Sequence, residues 1–174
     1  MECINVYDDI LIAIDAIPVV PELTARERER KAERQMLSAL VGKEKLTHDK
    51  NGKPLLDTYN ISISHTVFKS GGFIAIMLSK RYNVGIDIEY KSDRVMKIAS
   101  RFLRQDEAPK SVNDHLVYWC AKEAVYKLFS SEDLTYQEMK VNEEMTKVTD
   151  LKSKRDVNIF DIINDDYALV YAYC

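Results

Sequence analysis

The sequence lacks most of the features that announce a class at once. Only three of its 174 residues are cysteine: Cys3, Cys120 and Cys174. They form no CxxC and sit beside no histidine-rich spacing. Such an odd, scattered set argues against a disulfide framework or a zinc site and reads as reduced thiols. Positive charge is not in excess. Twenty-five Lys and Arg stand against 28 Asp and Glu, a net −3, so no global basic field points to nucleic acid. Long apolar runs are missing too. "ILIAIDAIPVV" is too short to span a bilayer and is interrupted by Asp15, and the first residues do not resemble a signal peptide. No tandem repeat is visible in residue identity. Together these absences lead us to expect a cytoplasmic protein that engages neither membrane nor nucleic acid.

What is present is ordinary globular composition, 46% hydrophobic and 30% charged. The length suits one compact domain or two small lobes sharing a core. "INVYDDILIAID" reads as a first strand or two. "IPVVPEL" is a proline-punctuated connector. Thr24, with Glu27 three residues on, predicts a capping box that opens the helix "ARERERKAERQMLSALVG", with Gly42 as its stop. The charges of "RERERKAER" alternate at helical spacing and describe a solvated face. Asn51-Gly52 marks a turn or hairpin. "YNISIS", "GGFIAIMLS" and "YNVGIDIEY" read as three strands. A helical segment "RVMKIASRFL" precedes a break at Pro109. A second strong helix, "NDHLVYWCAKEAVYKLF", is expected to start at Asn113 or Asp114. The tail alternates as the strands "MTKVTDL", "DVNIFDII" and "YALVYAYC". The order of elements predicts an α+β fold of two similar halves, 1–90 and 91–174.

The stretch "VGIDIEYK" places Asp87 and Glu89 two apart in a strand. Alternation aims both at one face, while Ile86 and Ile88 point to the core. Two carboxylates buried side by side without a partner would be costly, and a divalent cation removes that cost. Mg²⁺, a hard ion, takes such oxygen ligands together with water and substrate phosphates. A solvated Asp-x-Glu on a strand edge is the plainer alternative. In "WCAKEAVYK", Glu123 and Lys127 lie one helical turn apart. The plain reading is a surface pair worth about 0.2–0.5 kcal/mol. The other reading makes Glu123 the third carboxylate of a magnesium site and Lys127 a phosphate-neutralising cation, in a helix otherwise rich in Trp, Cys, Ala, Val, Tyr and Leu.

In conjunction, "VGIDIE" and "YWCAKEAVYK" resemble the paired signature of the 4'-phosphopantetheinyl transferase superfamily. "NGKP", with Lys53, and "ISISHT", with Ser64 and His65, resemble segments of its Sfp-type branch. Ser62 stands where that branch has Asn, and Thr66 where it has Ser. The resemblance runs from about Gly52 to Lys127.

This resemblance implies two pseudo-symmetric α+β halves with coenzyme A in the cleft between them. It implies transfer of the phosphopantetheine arm to a serine of an apo carrier protein, with release of adenosine 3',5'-bisphosphate. By resemblance, Asp87, Glu89 and Glu123 hold Mg²⁺, and Lys127 contacts the diphosphate. Lys53, Ser64 and His65 grip the 3'-phosphate and nearby adenosine, and Lys122 adds to the phosphate field. The catalytic set is then Asp87, Glu123 and Lys127, with Glu123 or a metal-activated water as base. The branch is monomeric, and its carriers are acidic. Arg94, Lys97, Arg101 and Arg104 are the candidate patch for such a carrier, or else a solvated helix face. Arg26, Arg30 and Arg34 are possible replacements for basic contacts to coenzyme A that a short N-terminal half lacks. A relative that binds coenzyme A or a carrier without turnover is the alternative, and an unrelated Mg²⁺-dependent phosphoryl-transfer or hydrolase domain is a third.

Overall fold

The computed structural model describes every residue except Asp8, which falls inside the stretch read as the first strands and lies outside the described residues. Strands β1 (Glu2–Tyr7) and β2 (Ile10–Ala16) pair antiparallel. Helix α1 (Ala25–Val41) opens on the expected capping box: Thr24 Oγ1 accepts from the Glu27 amide at 3.3 Å, and the Glu27 carboxylate accepts from the Thr24 amide at 2.8 Å. Gly42, at φ +65°, closes it. The two-residue strands β3 (Thr47–His48) and β4 (Pro54–Leu55) flank the Asn51-Gly52 turn. Then come β5 (Asn60–Phe68), β6 (Gly71–Ser79) and β7 (Val84–Tyr90).

Where one helix was expected over 94–103, there are two four-residue turns, α2 (Arg94–Lys97) and α3 (Ala99–Phe102). Neither start carries a side-chain cap, and Ile98 between them leaves helical geometry. Helix α4 (Val112–Leu128) starts earlier than expected. Its cap is Ser111 rather than Asn113 or Asp114, and Asp114 completes a capping box from the third helical position. A 3₁₀ turn (Tyr136–Glu138) leads into β8 (Met139–Val141), a strand too short for its alternation to show in the sequence. Strands β9 (Lys147–Asp150), β10 (Arg155–Ile163) and β11 (Tyr167–Tyr173) complete the chain.

Two main sheets result, in the orders β1-β2-β6-β5 and β7-β11-β10-β9-β8. One arrangement occurs twice. In β2–α1–β5–β6 and again in β7–α4–β10–β11, a strand leads to a 17-residue helix and then to a hairpin whose last strand inserts beside the first. The chain is therefore α+β, with the similar halves that the element order suggested. Strand β7 pairs with β11, so by hydrogen bonding the sheet changes between Ser79 and Val84, shortly before Tyr90.

The layers run helix, sheet, sheet, helix. Ala13, Ile74, Ile76 and Leu78 face α1, against Met36 and Leu37. The opposite faces of the same strands, with Ile12, Ile14, Ala75 and Met77, meet Val84, Ile86, Ile88 and Leu169 in a core shared by both halves. Each such buried aliphatic side chain contributes about 1.5–3 kcal/mol. Alternation along β7 then turns Gly85, Asp87 and Glu89 toward α4. A Cβ on Gly85 would sit 2.1 Å from the carbonyl oxygen of Ala124, so this glycine lets α4 cross the strand closely.

The edge of the first sheet meets the edge of the second, β5 against β7. Side chains rather than a backbone ladder close this seam. Ser62 Oγ accepts from the Ile86 amide at 3.1 Å, and Ser64 Oγ accepts from the Ile88 amide at 3.3 Å. Ser62, Ser64 and Thr66, two apart along β5, are all buried.

Candidate active site

Asp87 lies at the centre of this seam. Its Oδ1 accepts from Ser64 Oγ at 2.7 Å and from Lys127 Nζ at 2.7 Å, and Lys127 also donates to the Ile86 carbonyl at 3.0 Å. Its Oδ2 is buried and has no hydrogen-bond partner among the described residues. Such an oxygen is costly unless a ligand completes it.

Glu89 and Glu123 flank it from two elements. Glu89, next along β7, takes a bond from Thr66 Oγ1 at 2.8 Å and one from Trp119 Nε1 at 3.3 Å. Glu123 on α4 accepts from the Tyr136 hydroxyl at 2.5 Å. Burial, and after it the negative charge of Asp87, holds the carboxyl groups of both above the ordinary glutamate value of 4.5. The two glutamates thus share one unfavourable neighbour, Asp87. The thiol of Cys120, on the same helix, is pushed far up by burial and then by Asp87 and Glu89, which leaves it inert.

The donor chemistry suits a hard divalent ion: oxygen atoms only, one of them buried and unsatisfied. The geometry is open rather than closed. Among the described residues, no three His, Cys, Asp or Glu side chains stand close enough together to hold an ion. Lys127 occupies one oxygen of Asp87, and aromatic donors hold one oxygen of each glutamate.

Two clefts open along the seam, each lined by both halves. One, of 190 Å³, is lined by Lys53, Ser62 and Ile63 from the first half and Tyr126, Lys127 and Ser130 from the second. Lys53 and Lys127, expected to bind phosphate, do share a cavity. The other, of 260 Å³, holds His65 and Thr66 on one side and Glu89, Arg94 and Trp119 on the other.

The other expected site residues lie apart from this set. Ser64 and His65 point different ways. Neighbours in a strand face opposite ways, so Ser64 is buried against Asp87 while His65 is exposed, with Nδ1 3.5 Å from Glu29 of α1. Lys122 is directed elsewhere. It is fully buried on another face of α4, donating to Glu107 at 2.6 Å and to the carbonyls of Phe102 at 2.8 Å and Tyr136 at 3.2 Å. Burial lowers its pKa, against the pull of Glu107. Of the candidate basic patch, Arg104 is tied to Asp106 and to the carbonyl of Gln137, and Lys97 lies 4.0 Å from Asp93, while Arg94 and Arg101 are exposed. Arg26, Arg30 and Arg34 are exposed on α1.

Sequence reasoning missed Tyr136 and the acidic partner Glu107. Glu107 precedes the Pro109 break, and Tyr136 sits on a short turn. Neither carries a motif, and only the tertiary fold brings them to α4. Thr66 and Ser62, which looked like departures from a pattern, are parts of the seam.

A family model described as the 4'-phosphopantetheinyl transferase superfamily matches residues 83–172, just over half of the chain. Asp87, Glu89, Glu123 and Lys127 fall within that span. No curated protein matches the chain.

Proposed function

Since the chain belongs to the 4'-phosphopantetheinyl transferase superfamily, we propose that it moves the phosphopantetheine arm of coenzyme A onto a serine hydroxyl of an apo carrier protein. The serine oxygen forms a bond to the phosphorus that bears the pantetheine. The bond from that phosphorus to the bridging oxygen breaks, and adenosine 3',5'-bisphosphate leaves. The observation that carries the reading is Asp87: a buried carboxylate with one oxygen unsatisfied, two glutamates beside it and a lysine against it.

Asp87, Glu89 and Glu123 would hold Mg²⁺, which when bound supplies positive charge at the diphosphate oxygens. Lys127 and Lys53, in one cleft, bind and orient the phosphates. The proton of the carrier serine needs an acceptor. Glu123, or a water that the ion would activate, is the candidate. Lys53 and the segment around Ser64 favour the Sfp-type branch, although Ser64 serves by holding Asp87 rather than by meeting the adenosine. His65, with Arg94, lines the cleft at the Glu89 end, and Lys97 and Arg101 are exposed on the two short turns beside it. That charge suits an acidic carrier helix. Both walls of each cleft come from one chain, so a monomer suffices.

Incubation with coenzyme A, Mg²⁺ and a panel of apo carriers tests this. Mass spectrometry should show one phosphopantetheine added to a carrier serine, and the gain should vanish without either coenzyme A or Mg²⁺. Binding of coenzyme A with no transfer to any carrier would contradict turnover.

A further inference from the structure

The two glutamates beside Asp87 do not hang free. Each is held by the polar tip of an aromatic ring, and the two rings pack on each other. Trp119 donates to Glu89 Oε1 at 3.3 Å, and Tyr136 donates to Glu123 Oε1 at 2.5 Å. The Trp119 and Tyr136 ring centroids lie 5.5 Å apart, and Phe102 closes the far side of Trp119 edge-on at 5.3 Å. Tyr136 itself is fixed from several directions. Its 3₁₀ turn is opened by the paired Thr135 and Glu138 bonds at 2.9 Å. Its backbone carbonyl takes a bond from Lys122, and Gln137 Nε2 donates to the Leu103 carbonyl at 3.2 Å. The buried Lys122–Glu107 pair thus ties α4 to both aromatic supports, Phe102 and Tyr136.

We propose that Tyr136 is a positioning residue: its hydroxyl fixes one oxygen of Glu123 so that the other faces Asp87 and the ion. The inference rests on the reading that Glu123 is a metal ligand. Glu123 sits one position from a buried lysine on a helix, and its own side chain has several rotatable bonds. A carboxylate free to choose among rotamers pays for each ion it binds in lost freedom, whereas one held through its outer oxygen has lost that freedom already. The arrangement also gives Lys122 a purpose that its position in the motif hides. It acts two steps away, by holding the turn that holds Tyr136.

The test is Tyr136→Phe, which removes the hydroxyl and keeps the ring and its packing. Mn²⁺ binding, followed by electron paramagnetic resonance on the full chain without substrate, should weaken about 10-fold or more, the usual effect of losing such an outer partner. The Mg²⁺ concentration for half-maximal transfer should rise in step, with the KM for coenzyme A at saturating Mg²⁺ little changed and the thermal midpoint moving by no more than a few degrees. In a Glu123→Gln background the same substitution should have no further effect on Mn²⁺ affinity. Unchanged Mn²⁺ affinity in Tyr136→Phe, while Glu123→Gln alone weakens it, overturns the positioning role and leaves the metal reading standing. Unchanged affinity in Glu123→Gln overturns both.

Discussion

Asp87 has more to accept than the chain donates to it. Ser64 and Lys127 share Oδ1, and the buried Oδ2 has no donor among the described residues. Asp87→Asn keeps the shape and removes the charge, so transfer should fall by at least about 100-fold while the fold persists, as a coupled carrier assay and a far-ultraviolet spectrum would show. Glu89 and Glu123 make a prediction about pH. Both are held above 4.5, burial being the larger cause and Asp87 the second. In the metal-free protein the folded state then binds more protons than the unfolded chain at pH values just above 4.5. Stability from these groups is therefore fully present below the unfolded value and declines as pH rises through the raised values. Urea titrations across this range should show that decline in the difference between the native chain and Glu123→Gln, where the oppositely shifted surface carboxylates cancel. A metal-free protein whose stability rises through the same window in parallel with the Gln variant would contradict the electrostatic account. The alternation of "GIDIE" made the shared face of Asp87 and Glu89 legible from the sequence. The same rule, applied to Ser64 and His65, would have separated them.

Two contacts decide how the elements position that residue. Helix α4 lies on β7 because Gly85 has no side chain. Gly85→Ala would drive a Cβ to 2.1 Å from the backbone of Ala124 and push the helix off, at a cost of about 3 kcal/mol in chemical denaturation. Glu123 and Lys127 would move with it. On the far face of α4, Lys122 and Glu107 are buried together with their bonds satisfied. Lys122→Met strands the Glu107 charge and should cost about 3–5 kcal/mol, whereas adding Glu107→Leu should recover much of it. A single Lys122→Met variant of normal stability would show that the pair is not what holds the turn. Helix α1 and its box were legible because all their signals are local. The start of α4 was misplaced by a few residues because Asn113 and Asp114 are good caps in isolation, while Ser111 wins by having Asp114 three residues on. Helical geometry held a signal that the expectation for Lys122 did not use: Trp119, Glu123 and Lys127 recur every fourth residue, and Lys122 is turned away from their face.

For the molecule as a whole, the decisive feature is the seam. Two copies of one strand–helix–hairpin arrangement share a core and leave a groove between β5 and α4, with lysines toward one end and Glu89 with Trp119 toward the other. The order of elements in the sequence suggested the halves. It did not reveal that hydroxyls, not a ladder, join them, because the partners of Ser62, Ser64 and Thr66 lie more than twenty residues away. Ser64→Ala should cost about 1–3 kcal/mol and leave Asp87 with one donor fewer. The account's central claim is that the acids of one half and of its helix take up a divalent ion together with a diphosphate lodged in this groove. Calorimetric titration of the protein with coenzyme A, with and without Mg²⁺, for the native chain and for Asp87→Asn, tests it most directly. We expect Mg²⁺ to tighten coenzyme A binding to the native chain and to do nothing for the variant. Equal affinity with and without Mg²⁺ in the native chain would contradict the account.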